Sequence, residues 1–156
     1  MAEAVKVCCR FRGGQAAGNE WRFDPDGLSL TAPAGGPYAA QKFTFDAVLD
    51  SDCSQENAYN ITSRETVTSL LNGFNGTIFM YGQSGSGKTF TMLGPDIVVE
   101  TITKGVAEEN AAVPEEVQDL YGVIPRAIFD IFNEINRMIE AHGAQVELKI
   151  NYYEIY

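Results

Sequence analysis

The chain has 156 residues, of which 45% are apolar and 21% charged, and it carries a net charge of −10. These values predict one soluble globular domain with its own core, no membrane span and no binding to nucleic acid, whose phosphates would be repelled. The start carries no export signal and the three cysteines have no metal-ligand spacing, so we expect reduced thiols in the cytosol.

The N-terminal part of the chain predicts strands. Residues 4–12, AVKVCCRFR, alternate between apolar and polar side chains and predict a strand that stops at Gly13-Gly14. Residues 20–38 contain short strand-like pieces that proline and glycine interrupt, which predicts a small meander. Residues 42–48, KFTFDAV, predict a further strand.

Two helices and a last strand are predicted from capping signals and apolar spacing. The first helix opens with Ser54 as its N-cap and ends before Gly73. The second begins at Pro125 and ends at Gly143. Its apolar stripe consists of Ile128, Ile131, Phe132, Ile135, Met138 and Ile139. Residues 145–156 alternate again and predict a strand at the end of the chain.

Residues 93–121 predict an acidic loop insertion. Seven acids and one base, Lys104, lie between Asp96 and Asp119, so this stretch supplies −6 of the net charge of −10. The stretch is too long for an ordinary connection and has no clear periodicity throughout. We expect a solvated insertion; a lid or a regulatory role is the alternative.

A phosphate-binding pattern lies at the centre of the chain. The apolar run TIFMY, residues 77–81, predicts a strand buried on both faces. The pattern Gly-x4-Gly-Lys-Thr follows it directly, and a helix can begin at its lysine. Its glycines let backbone N–H groups approach an anion, the lysine can reach the β and γ phosphates, and the threonine hydroxyl can ligate Mg²⁺. The predicted nucleotide-binding residues are Gly82, Gln83, Ser84, Gly85, Ser86, Gly87, Lys88 and Thr89, with Thr89 as the metal ligand. The alternative is a glycine-rich turn before a helix.

The segment GFNGTIFMYGQSGSGKTFTMLG, residues 73–94, resembles the phosphate-loop region of kinesin motor domains. Four further blocks resemble the same family in the same order: VKVCCRFR, FTFDAVLDSDCSQENAYN, GVIPRAIFDIF and LKINYYEIY. The resemblance implies that residues 1–156 are the N-terminal part of an ATP-dependent microtubule motor. The implied fold is an incomplete α/β P-loop NTPase, in which helices flank a mixed sheet. ATP and Mg²⁺ are the implied cofactors, microtubules (tubulin) the implied partner, and the cytoplasm and cytoskeleton the implied location; the oligomeric state stays open.

The resemblance also implies a base pocket. Arg10 and Arg12 match an Arg-x-Arg-Pro segment that lines the adenine in kinesins, with Gly13 where the proline usually stands. Phe90 occupies a position where kinesins often place an aromatic side chain or a histidine against the base. The alternatives are a solvated strand face for the two arginines and a first-turn core residue for Phe90.

Two segments that kinesins use for hydrolysis do not occur in the 156 residues: Asn-x-x-Ser-Ser-Arg-Ser-His and Asp-Leu-Ala-Gly-Ser-Glu. In the family they sense the γ-phosphate and position the attacking water. We therefore expect this chain to be a fragment of a motor domain that is inactive as an ATPase by itself, and no catalytic residue is predicted. The alternative is a short, non-catalytic module that binds a nucleotide or a protein partner.

Overall fold

The computed structural model describes residues 5–12, 21–35, 37–107 and 112–154. These ranges contain five short strands and six helices. The elements in chain order are β1 Cys8–Arg10, β2 Arg22–Phe23, β3 Ser29–Thr31, β4 Lys42–Thr44, β5 Ala47–Leu49, α1 Gln55–Thr62, α2 Arg64–Leu71, α3 Lys88–Met92, α4 Asp96–Ala107, α5 Glu115–Gln118 and α6 Val123–His142. No helix of the described part of the chain combines the length and the apolar composition needed to cross a membrane.

The strands form two small sheets, one antiparallel and one parallel. Strands β2, β3 and β4 pair antiparallel, with Leu30 opposite both Phe23 and Phe43. Strands β1 and β5 pair parallel, with Cys9 opposite Val48. The meander predicted within 20–38 is thus confirmed only for β2 and β3, and its third strand, β4, comes from the strand predicted over 42–48. Parallel and antiparallel pairing occur together, as the predicted fold class requires.

Two of the predicted strands differ in extent from those observed. The single strand predicted over 42–48 is divided between the two sheets, because the Phe45 N–H bonds to Leu28 O and the Asp46 N–H bonds to Val7 O. Strand β1 covers only the middle of the predicted 4–12, since its partner β5 is itself three residues long. The predicted stop of β1 at Gly13-Gly14 lies outside the described residues.

The first predicted helix is present but divided into α1 and α2. The Ser54 hydroxyl accepts the Asn57 N–H at 3.1 Å, which confirms the predicted N-cap. The division falls at Ser63, where φ is −127°. Just before it, the Thr62 hydroxyl donates to Ala58 O at 2.7 Å, a contact that bends helices. Gly73 follows the end of α2 with a φ of 87°, as predicted.

The second predicted helix is α6, and it packs on helices rather than on a sheet. It begins at Val123, before the predicted start, and Pro125 lies in its first turn, where an N–H has no intrahelical partner. Its predicted end before Gly143 is confirmed. Helix α6 packs against α1, α2 and α3. The buried cluster between these helices consists of Tyr59, Val67 and Val123, with Ile78, Met80, Met92, Ala127 and Ile131 packed around it. Half of the predicted stripe is exposed, namely Ile128, Phe132 and Ile139.

Two segments predicted as strands are not strands. In residues 77–81, Ile78 and Met80 pack on the core, but Phe79 is 77% exposed and Tyr81 90% exposed, so the prediction of burial on both faces is wrong. Residues 145–154 are all exposed. No described strand pairs with either segment, and an extended segment becomes a strand only when a neighbour supplies hydrogen-bond partners. Residues 155–156 lie outside the described part.

The predicted acidic loop insertion contains two helices, α4 and α5, so it is not a loop throughout; that it is an insertion stays a prediction. Val98, which is 1% exposed, and Ile102 lie four residues apart on the inner face of α4, and α4 packs on α5. On the outer face, Glu100 and Lys104 form an ion pair at 3.9 Å. This four-residue spacing is the helical signal in the sequence. Residues 108–111 lie outside the described part.

Candidate nucleotide-binding site

A cavity of about 800 Å³ opens beside the predicted phosphate loop, within the size range of ligand sites. One wall is the loop and α3, with Gly85, Ser86, Gly87, Lys88, Thr89, Phe90 and Thr91. A second wall contains Arg10, Phe11, Arg12, Ser51, Cys53, Ser54 and Gln55. A third wall is formed by Asp119 and Leu120. The structure thus places a cavity that could hold a nucleotide where the sequence predicts a phosphate site.

Most of the predicted site residues line this cavity. Residues 85–90, Arg10 and Arg12 all contribute to its walls. The other three predicted residues, Gly82, Gln83 and Ser84, do not line it. Gly82 and Gln83 instead supply backbone carbonyls that hold the lysine of the loop.

The backbone conformation at Gly87 shapes the loop. Gly87 has a φ of 98°, in the left-handed region that side chains with a Cβ rarely adopt, and it is the N-cap of α3. Directly before it, residues 83–86 form a turn that is closed by the bond from the Ser86 N–H to Gln83 O at 3.1 Å. The turn ends where Lys88 starts the helix, and the first N–H groups of a helix have no intrahelical acceptor. These N–H groups therefore lie at the cavity wall, where they can donate to an anion.

Lys88 is held inside the loop by two carbonyl oxygens. Its Nζ donates to Gly82 O at 2.8 Å and to Gln83 O at 2.9 Å. An ammonium group has three donors, so one remains for a ligand in the cavity. The loop therefore fixes the position of the positive charge, and binding an anion need not break either contact.

Arg10 connects three elements at the cavity wall. Its Nη1 donates to Gln55 Oε1 at 2.7 Å and to Thr91 Oγ1 at 3.1 Å, and its Nη2 donates to Cys53 O at 3.2 Å. Its guanidinium carbon lies 5.4 Å from the centroid of the Phe90 ring. Burial lowers the pKa of this guanidinium from its ordinary value. Arg10 is therefore a fixed part of the wall rather than a solvated side chain.

Arg12, two residues further along, contacts the phosphate loop directly. Its Nη1 donates to Gly85 O, although the side chain itself is exposed. Arg10 and Arg12 thus both line the cavity, and neither is a purely solvated side chain.

Several cavity residues were missed by sequence reasoning. Gln55 is 6% exposed and donates through Nε2 to Phe90 O at 2.6 Å, so it joins α1 to α3. Cys53 lies beside it, where burial raises the pKa of its thiol. Asp119 and Leu120 are distant in sequence from the loop, and no local pattern marks them. Of these four residues, only Gln55 has a sequence signal, since it is a polar residue directly after an N-cap. That signal indicates the start of a helix and does not indicate a ligand site.

This chain has a Gly-x4-Gly-Lys-Thr loop that leads into a helix at the edge of a cavity, within a fold of strands and helices. These features define the class of P-loop nucleotide-binding proteins. The family model described as "Kinesin motor domain" matches residues 32–156 of this chain. The chain belongs to the kinesin motor domain family.

Known relatives agree with this assignment. The kinesin heavy chain of Doryteuthis pealeii is 36% identical over 159 residues, which cover 97% of this chain and 13% of that protein. The human kinesin-1 heavy chain is 36% identical over 156 residues, covering 97% of this chain and 14% of that protein. A solved structure described as a fast kinesin is 31% identical with a TM-score of 0.64, covering 86% of this chain and 34% of that one.

The chain therefore spans less than a fifth of the length of these curated relatives and about a third of the solved kinesin chain. The expected family and the expected P-loop α/β fold class are confirmed. The roles of the individual site residues stay predictions.

Proposed function

We propose that this chain supplies the phosphate loop and part of the adenine pocket of an ATP-dependent microtubule motor. The observation that carries the proposal is Lys88, held at the wall of an 800 Å³ cavity with one donor left for a ligand, in a member of the kinesin motor domain family. The cavity is lined by cationic side chains at Arg10, Arg12 and Lys88, which suits a polyanionic ligand.

The phosphate chain lies along residues 85–89 in this proposal. Lys88 donates to the terminal phosphates, and the first N–H groups of α3 donate to their oxygens. Arg12, which already contacts Gly85 O, lies at the edge of the same loop and adds positive charge there. A bound triphosphate is therefore met by fixed donors that need little rearrangement.

Mg²⁺ fits this site as a partner of the phosphates. Within the described residues, no group of three His, Cys, Asp or Glu side chains converges in a way that could hold a metal ion. The side chain of Thr89 is exposed at the cavity wall, and its hydroxyl is the hard oxygen ligand that Mg²⁺ prefers. The ion would be held by Thr89, phosphate oxygens and water, and would supply neutralising charge at the phosphates.

Arg10, Arg12 and Phe90 are the proposed base platform. Arg10 already uses three of its donor contacts on Gln55, Thr91 and Cys53. Arg10 would therefore stabilise a bound base by stacking, together with the Phe90 ring that it contacts. We expect this stacking to contribute about 1 kcal/mol to the binding free energy. Replacing both arginines with alanine should weaken ATP binding and largely spare inorganic tripolyphosphate.

Microtubules are the proposed partner of the motor, and the cytoplasm and cytoskeleton its location. Membership of the kinesin family supports both proposals. The net charge of −10 does not favour direct contact between this chain and the acidic surface of tubulin. We therefore propose that this part of the motor binds the nucleotide and that microtubule contact is made elsewhere in the motor.

Calorimetry of ATP binding to Lys88→Ala tests the site. Loss of a charge-assisted contact to phosphate should weaken the affinity by about 3 kcal/mol, roughly 100-fold. Lys104→Ala is the matched control, since Lys104 is an exposed lysine on α4 that pairs only with Glu100 among the described ion pairs. An affinity of Lys88→Ala equal to that of the control would refute the assignment.

A phosphate-release assay on the 156-residue chain, with and without microtubules, tests whether this chain binds ATP without hydrolysing it. We expect ATP binding without turnover above background, because phosphoryl transfer depends on groups that close over the γ-phosphate and position water. Microtubule-stimulated turnover that disappears in Lys88→Ala would show that this chain hydrolyses ATP by itself. Absence of ATP binding in the unsubstituted chain would favour a module that binds a protein partner.

A further inference from the structure

The turn that leads from α5 into α6 separates two cavities. Asp119 and Leu120 line the nucleotide cavity, whereas their neighbours Gln118 and Tyr121 line a second cavity of about 210 Å³. Adjacent residues of one turn therefore face opposite cavities. Any movement of this turn changes the wall of the nucleotide cavity directly.

Gly122, where the turn leads into α6, lies directly against the end of α3. The Gly122 N–H bonds to Leu93 O at 3.1 Å, and a Cβ at this position would lie 2.6 Å from backbone atoms of Met92 and Leu93. Since α3 begins at the phosphate loop and runs for five residues at about 1.5 Å each, this contact lies roughly 7 Å along the helix from the loop. A Cβ at Gly94, just after α3, would lie 2.5 Å from Leu120 O, so Leu120 too lies at the end of α3 away from the loop, where the proposal places the base.

Arg126, in the second turn of α6, holds the same turn by its backbone. Its Nε donates to Tyr121 O at 3.0 Å, and its Nη2 donates to Asp119 O at 2.9 Å and to Gln118 O at 3.3 Å. The last carbonyls of a short helix such as α5 lack intrahelical donors, and a planar guanidinium can satisfy several of them at once. One side chain thus fixes the backbone on both sides of Leu120.

We propose, building on the nucleotide site proposed above, that Arg126 is a positioning residue for the base end of that site. It does not touch the ligand; it holds the turn over 118–121 so that Leu120, which keeps 38% of its surface exposed, packs against the base. Without this tether the turn must be ordered at the moment of binding, and that ordering lowers the affinity. The phosphate end of the site does not depend on it.

The proposal is tested by comparing ATP with inorganic tripolyphosphate, which lacks a base. Arg126→Gln should weaken the affinity for ATP by about tenfold, the effect of losing contact with part of one leucine side chain, and leave the affinity for tripolyphosphate within about twofold. Arg126→Lys keeps the charge but lacks the planar fork, so its ATP affinity should lie between those of Arg126→Gln and the unsubstituted chain. Arg137→Gln is the matched control, since Arg137 lies on the same helix and pairs with Glu134 on the surface.

Leu120→Ala provides a second test that leaves the tether intact and should show the same loss for ATP alone. Equal losses for ATP and tripolyphosphate in both variants, or ATP affinities equal to that of the Arg137→Gln control, would overturn the positioning role. If Arg126→Gln does not fold by circular dichroism, Leu120→Ala decides the question. An unsubstituted chain that binds neither ligand would overturn the nucleotide site itself, which is a different result from the loss of base selectivity.

Discussion

Replacing Gly122 with alanine should destabilise the fold through a backbone clash. An added Cβ would lie 2.6 Å from Leu93 N and from the carbonyl group of Met92, whereas real Cβ atoms essentially never approach other atoms within 3.0 Å. The obstructing atoms are backbone, so no side chain can rotate away. Either the end of α3 or the start of α6 must move, and that movement strains the bond from Gly122 N–H to Leu93 O.

The magnitude follows from these two effects. Overpacking of this kind costs about 2 kcal/mol, and weakening one hydrogen bond adds about 1 kcal/mol. For a chain of this length, about 3 kcal/mol lowers Tm by roughly 6–12 °C. The matched control is Gly35→Ala, because a Cβ at Gly35 would meet no atom within 4 Å. That variant should unfold within about 1 kcal/mol of the unsubstituted chain.

Thermal unfolding followed by circular dichroism measures both variants. The expected result is a clearly lower Tm for Gly122→Ala than for Gly35→Ala. Equal Tm values would refute the reasoning, since they would mean that the turn before α6 does not lie against α3 as closely as the structure shows. ATP affinity of Gly122→Ala should fall as well, because the same displacement moves the Asp119–Leu120 wall.

Three further predictions concern other parts of the chain. Tyr59→Phe removes the hydroxyl that donates to Asp130 Oδ2 at 2.8 Å, and urea unfolding should show a loss of about 1.5 kcal/mol; an unchanged midpoint would contradict a stabilising role for this bond. The Leu28 N–H donates to Asp26 and lowers the pKa of that carboxyl from its ordinary value of 3.8. A carboxyl whose pKa is lowered by folding stabilises the fold at pH values above its ordinary pKa, and this stabilisation is lost as the pH falls below about 4. Asp26→Asn should therefore make the free energy of unfolding depend less on pH in the acid range. The same pH dependence in both proteins would contradict this prediction. Cys53 lines the nucleotide cavity, so ATP should slow its alkylation by iodoacetamide in peptide mass spectrometry, and equal rates with and without ATP would speak against a ligand there.

The sequence by itself determined the features that depend on neighbouring residues. The glycine-containing turn that leads into α3, the Ser54 N-cap and the glycines that follow α2 and α6 were all predicted and are present. Each of them is decided within a few residues, by side chains that cap a helix or by a glycine that adopts a positive φ. The family could be predicted for a similar reason, since its motifs are contiguous blocks of sequence.

The tertiary structure decided what these elements pack against. The TIFMY segment has the composition of a buried strand, yet Phe79 and Tyr81 are exposed because no described strand pairs with it. Burial of α6 likewise depends on α1 and α2 and covers only part of its apolar stripe. Burial and strand pairing are properties of two segments at once, and a local pattern specifies only one of them.

The nucleotide cavity shows the same division most clearly. Its loop wall could be predicted because Gly87, Lys88 and Thr89 are consecutive in the sequence. The Asp119–Leu120 wall could not, because these residues reach the cavity only through the fold of the acidic stretch and through the hydrogen bonds that Arg126 makes to the turn. Those contacts join residues that no short-range periodicity relates, so only the folded chain brings them together.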